Sequence, residues 1–159
     1  MRFAVFYYAP VLVWMLVIFS FSTGLGTAEH TIGLLQRLLE VWSPEAAKHF
    51  TPVQLEYINY AVRKLAHLTE YAILTLLVLR AFQQGRQRLQ WKAVVGALLI
   101  SIAYAATDEL HQSMVPNRTA SVRDVLIDSI GGAVVLAVAA GWFSMKAVER
   151  KVLKSDGEN

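Results

Sequence analysis

Three groups of ionisable residues stand where long apolar stretches of this chain begin or end. In chain order the groups are Lys64, His67 and Glu70; Asp108, Glu109 and His111; and Asp124 with Asp128. Imidazole and carboxylate side chains are common general acids, bases and nucleophiles, and they also bind divalent metals. Ionisable groups are costly to bury in a membrane. Groups of this kind at its edge therefore lead to the hypothesis of a functional site.

The composition predicts a small membrane protein with several spans. Of the 159 residues, 55% are hydrophobic and 17% are charged, and the mean hydropathy is +0.42. These values are too apolar for an ordinary soluble domain. The net charge is +3, and the basic residues lie beside the apolar stretches. This position indicates that they orient the protein in a membrane, and not that they bind nucleic acid. The absence of cysteine excludes disulfides, thiolate metal sites and cysteine nucleophiles.

Four apolar stretches are predicted to cross the membrane in an all-α fold. They lie at about residues 3–21, 64–80, 93–111 and 124–143. The first is long enough for roughly 30 Å of hydrocarbon and exceeds the apolar region of a cleaved signal peptide, so a retained helix is expected. We expect residues 1–145 to form one membrane domain and residues 146–159 a short basic tail.

The segment between the first two spans, residues 22–63, is predicted to contain one or two short amphipathic helices. Apolar side chains recur there at roughly helical spacing, from Ile32 to Trp42. Ser43-Pro44 and Thr51-Pro52 are typical of helix starts, since Ser or Thr caps a helix and Pro suits its first turn. Such helices would lie on the membrane surface or over the bundle.

Basic residues predict the orientation of a multi-pass protein in the cell membrane. Nine of the fifteen Lys and Arg residues lie in the N-terminal segment, the 80–92 loop and the C-terminal tail. The positive-inside rule therefore places both termini and that loop in the cytoplasm. All three ionisable groups then lie at the extracytoplasmic ends of their helices, where they can form a single site.

Helical phase gathers each group into a polar stripe. Lys64, His67 and Tyr71 fall within about 60° of one another, and Glu70 lies about 60° beyond His67. The other stripes are Tyr104, Asp108, His111 and Gln112, with Glu109 at their margin, and Asp124, Asp128 and Gly131. Gly131-Gly132 would let another helix approach closely.

The connection between the last two spans adds two candidates. Pro116-Asn117 indicates a turn. Ser121 is a plausible cap for the fourth span, with Asp124 three positions on in a capping-box arrangement. Arg118 lies near the acidic residues, and its planar guanidinium could bind phosphate or carboxylate.

These ordered polar positions resemble the VanZ-like family. The matching motifs are Lys64-x-x-His67-x-x-Glu70-Tyr71, Asp108-Glu109-x-His111-Gln112, Pro116-x-Arg118-x-x-Ser121-x-x-Asp124, and Asp128 with Gly131. The resemblance covers about residues 60–140, and the first helix also fits the family's layout. Phe21-Ser22-Thr23-Gly24 departs from the Ser-Ser-Gln-like stretch of many members, so we assign this segment no role.

The resemblance implies a bacterial envelope protein. The family's named member is associated with resistance to the glycopeptide teicoplanin. At its polar helix ends the family is similar to proteins thought to act on phospholipid or polyprenyl-phosphate head groups. Membrane lipids or lipid-linked envelope precursors are therefore the expected partners.

Two chemical versions of the site remain open. In the first, a lipid phosphotransferase or hydrolase, His67 or His111 is the nucleophile or general base, a carboxylate orients it, and Lys64 and Arg118 bind phosphate. The candidate catalytic residues are His67, Glu70, Asp108, Glu109, His111 and Asp124. The candidate substrate-binding residues are Lys64, Tyr71, Gln112, Arg118, Ser121 and Asp128. In the second version a divalent metal, the one cofactor considered, is bound by His67, Glu70, Asp108 and His111. We favour the metal-free version, because Lys64 and Arg118 already supply positive charge.

Readings without chemistry also stay open. The charges could form a structural ion-pair network in which Lys64 and Arg118 neutralise Glu70 and Asp108, while Asp124 serves only a helix N-terminus. The protein could also be a non-enzymatic binder of an envelope lipid or an amphiphilic antibiotic. A small transporter is less favoured, because four helices show no evident inverted repeat.

Overall fold

A computed structural model describes residues 2–23, 26–116 and 120–156 of the chain. Within these ranges the secondary structure is entirely helical, and the helices are α1 (Arg2–Ser22), α2 (Ala28–Trp42), α3 (Pro44–His49), α4 (Pro52–Gln83), α5 (Trp91–Gln112) and α6 (Val122–Asp156). Of these, α1, α4, α5 and α6 are long and apolar enough to cross a membrane. The predicted all-α fold, with four spans and two short helices after the first, is confirmed.

The helices extend beyond the predicted apolar stretches. α4 begins at Pro52 because Thr51 and Gln54 form a capping box, in which the Thr51 N–H donates to Gln54 Oε1 at 2.9 Å. The expected helix start at Thr51-Pro52 is therefore confirmed, and this helix runs on into the second span without a break. α6 likewise continues to Asp156, so the predicted basic tail is helical over its described part.

α4 is the central helix of the bundle, and it packs against α1, α2, α5 and α6. The predicted close approach at Gly131-Gly132 is confirmed. A Cβ atom at Gly131 would overlap the carbonyl oxygen of Leu68, and one at Gly132 would lie 2.7 Å from Thr75 Oγ1. The same Thr75 Oγ1 donates to Ser101 Oγ of α5 at 2.8 Å, and both side chains are buried. Small and hydroxyl-bearing residues thus set the spacing of three spans.

We call one end of the bundle the polar end. It comprises the last turn of α1, residues 64–71 of α4, the last turn of α5 and the first turns of α6. Along α4, Lys64 lies about 28 Å from Gln83 at 1.5 Å per residue, close to the thickness of the hydrocarbon core. This part of α4 is therefore long enough to cross the hydrocarbon core, and Tyr71 lies about two turns from Lys64 toward Gln83.

The opposite, basic end carries the turn between α4 and α5. Gln84 and Gly85 adopt left-handed conformations there, with φ of 48° and 75°. The buried Gln83 side chain holds the turn, donating to the Arg88 carbonyl at 2.9 Å and accepting from the Gln90 N–H at 2.9 Å. α6 reaches the same turn, where Arg150 Nη2 donates to the Gln87 carbonyl at 3.0 Å.

The short helices α2 and α3 lie beside the polar end. The buried Asn59 side chain of α4 donates through Nδ2 to the Ala28 carbonyl at 3.1 Å, which fastens the start of α2. The opposite face of α2 exposes the apolar side chains Leu34, Leu38, Val41 and Trp42. An exposed apolar face next to a membrane-spanning bundle is typical of a helix that lies in the membrane interface.

Candidate functional site

An ion pair between Lys64 and Asp124 joins α4 to α6 at the polar end. Both side chains are largely buried, with 24% and 14% of their surfaces exposed. The sequence-based network, in which Lys64 neutralises Glu70, is wrong in this respect. A partner 60 residues away on a neighbouring helix takes the charge instead, because Gly131 brings α4 and α6 into close contact.

One turn deeper, His67 of α4 faces Asp128 of α6. His67 Nδ1 lies 3.7 Å from Asp128 Oδ2, within ion-pair range but too far for a hydrogen bond. Asp128 is only 1% exposed, and neither of its carboxylate oxygens has a hydrogen-bond partner in the described part of the chain. The buried carboxylate thus acts on the imidazole through its charge and not through a hydrogen bond.

Asp108 and Gln112 form the buried polar stripe of α5. Gln112 Nε2 donates to Asp108 Oδ2 at 2.8 Å, one helical turn away. Tyr71 of α4 is fully buried on this side, and its hydroxyl has no hydrogen-bond partner among the described residues. Its ring packs 6.4 Å from that of Tyr104, whose hydroxyl donates to the Met15 carbonyl at 2.6 Å.

Glu109 fastens the start of α6 to the end of α5. Its Oε2 accepts a hydrogen bond from the Ser121 N–H at 2.8 Å. Ser121 caps the start of α6 as predicted, but its predicted capping box with Asp124 is wrong. In a capping box the Asp124 side chain would accept from the Ser121 N–H, but Glu109 accepts there and Asp124 pairs with Lys64. The Ser121 Oγ accepts from the Arg123 N–H at 3.2 Å.

His111 faces α1. Its Nδ1 lies 3.0 Å from Ser22 Oγ, and its ring packs 4.7 Å from the ring of Phe19. Ser22 is 2% exposed and belongs to the segment that the sequence analysis left without a role. The contact shows that this segment positions the end of α5 against α1.

A cavity of about 210 Å³ opens among these helices at the polar end. Its polar wall consists of Arg63, His67 and Glu70 from α4 and Asp108 from α5. Its apolar wall includes Ile18 and Phe21 of α1, and Thr31 of α2 lies at its edge. The cavity therefore combines a cation, an imidazole and two carboxylates with a surface suited to a lipid chain.

The predicted site residues divide into two groups. His67, Glu70 and Asp108 line the cavity. The other described candidates do not line it and are held at the polar end by the contacts above or by burial: Lys64, Tyr71, Glu109, His111, Gln112, Ser121, Asp124 and Asp128. Arg118 lies outside the described residues, so its phosphate-binding role stays a prediction.

Sequence reasoning missed Arg63. It precedes the motif that begins at Lys64, so it was counted only for membrane orientation. Arg63, His67 and Glu70 are spaced i, i+4 and i+7, a pattern that places three side chains on one helix face. That spacing was the signal that could have identified it.

The predicted metal ligands do not assemble into one set. In residues 2–23, 26–116 and 120–156, no group of three or more His, Asp or Glu side chains is placed to hold a metal ion. His67, Glu70 and Asp108 share the cavity wall, but His111 packs against Ser22 and Phe19. A site that joins all four of these residues is therefore not formed in the described part of the chain.

Comparison with known proteins gives a family match over most of the chain. A family model described as VanZ/LLP1 matches residues 5–144. This range contains the four spans up to the last turns of α6 and all of the candidate residues. No curated protein and no solved structure matches the chain.

Proposed function

The chain belongs to the VanZ/LLP1 family, and from that premise we propose that its polar end acts on phosphate-bearing lipid head groups. With four helices that can span a membrane, it is a multi-pass membrane protein. In this proposal, Lys64 and the cavity lie at the depth of the head groups of phospholipids or polyprenyl phosphates. A phosphate-bearing lipid is therefore the substrate class that can reach this cavity without leaving the membrane.

The observation that carries the proposal is the pairing of His67 with a buried carboxylate at the wall of a polar cavity. His67 lines the cavity, and Asp128 lies behind it at 3.7 Å. Arg63 lines the same cavity, and its guanidinium can bind two phosphate oxygens at once. The proposed base, a buried carboxylate close to it and a phosphate-binding cation thus lie together.

In the proposed reaction His67 acts as the general base. It accepts the proton of a water or an acceptor hydroxyl as that oxygen forms its bond to phosphorus, and the bond from phosphorus to the leaving oxygen breaks. The leaving oxygen then takes the proton from His67. Asp128 stabilises the imidazolium in between, and Arg63 binds the charge that develops on the phosphate.

Glu70 and Asp108 have a different part in the proposal. Both are acceptors of hydrogen bonds, and they line the cavity beside His67. Because carboxylates repel phosphate, the phosphate would lie nearer Arg63, while the attacking or leaving hydroxyl would lie nearer Glu70 and Asp108. The carboxylates would then orient the hydroxyl hydrogen.

The proposal includes the orientation of the protein. The excess of basic residues at the opposite end supports placing that end in the cytoplasm and the polar end outside. The substrate head groups would then be those of the outer leaflet. Chemistry on lipids at that surface fits the association of the family with resistance to a glycopeptide that acts on the envelope.

The test is turnover by purified protein in lipid nanodiscs. Lipids with ³²P-labelled phosphate head groups, phosphatidic acid in one series and polyprenyl phosphate in another, would be followed for release or transfer of the label. His67→Gln should lower turnover by about 10²-fold or more, the usual contribution of a general base. His49→Gln is the matched control, because His49 is exposed in α3 and should leave turnover unchanged.

Two outcomes would overturn the reaction. Equal turnover by the parent protein and His67→Gln would show that His67 is not the base. Lipid binding that depends on Arg63 without any turnover would show that the protein is a binder and not an enzyme.

A further inference from the structure

A second cavity lies at the basic end, on the side of α4 that faces both α1 and α6. These two helices pack against α4 but, in the described ranges, not against each other, so α4 forms the floor of a groove between them. Its volume is about 640 Å³. The walls are mostly apolar and include Tyr7 of α1, Leu76 and Leu79 of α4, and Val138 and Trp142 of α6. This groove is separate from the polar-end cavity and shares no residue with it.

Arg80 and Arg86 line the groove where it reaches the basic end. The Arg80 guanidinium lies 4.5 Å from the centre of the Phe6 ring, and its Nη1 donates to the Phe6 carbonyl at 3.2 Å. Arg86 Nη1 donates to the Phe82 carbonyl at 3.2 Å. Both guanidinium groups are therefore held in place by α1 or by their own turn.

Neither arginine is neutralised by a carboxylate within the described part of the chain. Each guanidinium carries five N–H donors, and the contacts above use only the Nη1 atom of each. The remaining donors, at the membrane boundary, can bind an anion. An apolar groove that ends at two such cations matches an acyl chain that ends at a phosphate.

We infer that this groove binds an anionic phospholipid, with an acyl chain between α1 and α6 and the phosphate at Arg80 and Arg86. The inference commits to an anionic lipid because the charge at the groove's end is positive and uncompensated, while its walls are apolar. Lipid with a net negative head group should be preferred over zwitterionic lipid by about fivefold for each arginine. The inference does not depend on the proposed function, which concerns the other end of the bundle.

Trp142 supplies a probe inside the groove wall. The purified chain would be placed in nanodiscs of phosphatidylcholine that contain a small fraction of dibrominated phosphatidylglycerol or of dibrominated phosphatidylcholine. Bromine on an acyl chain quenches tryptophan emission at contact distance. The emission of Trp142 is isolated by subtracting that of Trp142→Phe, because the chain has four tryptophans. Quenching should be stronger with brominated phosphatidylglycerol.

The variants separate specific binding from general attraction to a basic surface. Arg80→Gln/Arg86→Gln should abolish the preference, and Arg86→Gln alone should reduce it by about fivefold. The single variant is included because Arg80 also holds α1. Arg88→Gln/Lys92→Gln removes the same charge at the same end of the bundle from residues that do not line the groove, and it should keep the preference.

Equal quenching of the parent protein by the two brominated lipids would overturn the inference. So would a preference that survives in both arginine variants, or one that Arg88→Gln/Lys92→Gln abolishes to the same extent. The latter result would assign the effect to surface charge alone.

Discussion

Two cross-helix contacts between α4 and α6 define the candidate site at the scale of single residues. Lys64 pairs with Asp124, and His67 faces Asp128 one turn further along both helices. The first pair neutralises two ionisable groups. The second places a carboxylate behind the imidazole that the proposed reaction uses. A buried ion pair does not necessarily add stability, but removing one partner leaves an uncompensated charge.

A double-mutant cycle on Lys64 and Asp124 tests the first contact. We expect Lys64→Ala and Asp124→Ala to lower the free energy of unfolding, with a coupling energy of about 0.5–3 kcal/mol between them. The measurement is unfolding in mixed micelles with increasing dodecyl sulfate. The control cycle uses Glu45 and Lys48, an exposed pair within α3 whose coupling should stay at about 0.5 kcal/mol or less. Equal coupling in both cycles would contradict the buried pair.

The sequence predicted the members of this site better than their partners. Spacing along one helix indicated a stripe on α4, because phase within a helix follows from local geometry. It could not pair Lys64 with Asp124 or Glu109 with Ser121, because such pairs depend on the rotation and depth of two helices. It also missed Arg63. This residue lies on the α4 face of His67 and Glu70, next to the stripe of Lys64 and Tyr71.

At the scale of helices, glycines set the distance between α4 and α6. Gly131 lies against the backbone of α4, where a Cβ atom would overlap the carbonyl oxygen of Leu68. Backbone cannot move aside as a flexible side chain can. The pairs Lys64–Asp124 and His67–Asp128 lie within the two turns that precede this close contact, so the site depends on it.

Alanine substitution of Gly131 and of Gly141, both in α6, should therefore have different effects on stability. We expect Gly131→Ala to lower the free energy of unfolding by about 1–3 kcal/mol, through overpacking. Gly141→Ala is the matched control, because nothing lies within 4 Å of the added Cβ. It should be neutral or stabilising by up to about 1 kcal/mol, since alanine favours a helix. The same micelle unfolding measures both, and similar values would contradict the close approach.

Helix bounds were predicted less well than the number of spans. Hydropathy indicates only the part of a helix that can lie in hydrocarbon. It therefore predicted the four spans correctly but placed the start of the second span near residue 64. α4 starts at Pro52 because its capping box supplies hydrogen-bond acceptors for backbone N–H groups at the start of the helix. The Thr51-Pro52 signal indicated that start, and the structure shows that the helix runs from there through the second span.

At the scale of the whole molecule, the account requires the polar end to face outside. The chain contains no cysteine, so single cysteines can report which side of the membrane they face. Lys48→Cys in α3 should react with a membrane-impermeant maleimide in intact cells. Gln87→Cys at the basic end should react only after the cells are permeabilised. The reverse pattern would contradict the proposed orientation.

The central claim is that a phosphate-bearing lipid head group occupies the cavity lined by Arg63 and His67. Ala66 lines the same cavity and is exposed, so Ala66→Cys places a single thiol at its wall. The measurement is its rate of modification by a small methanethiosulfonate reagent, in nanodiscs with phosphatidic acid or with diacylglycerol, which lacks the phosphate. Lys48→Cys is the control and should react equally in both lipids. We predict that phosphatidic acid slows the reaction of Ala66→Cys and that diacylglycerol does not; equal rates with the two lipids would contradict the account.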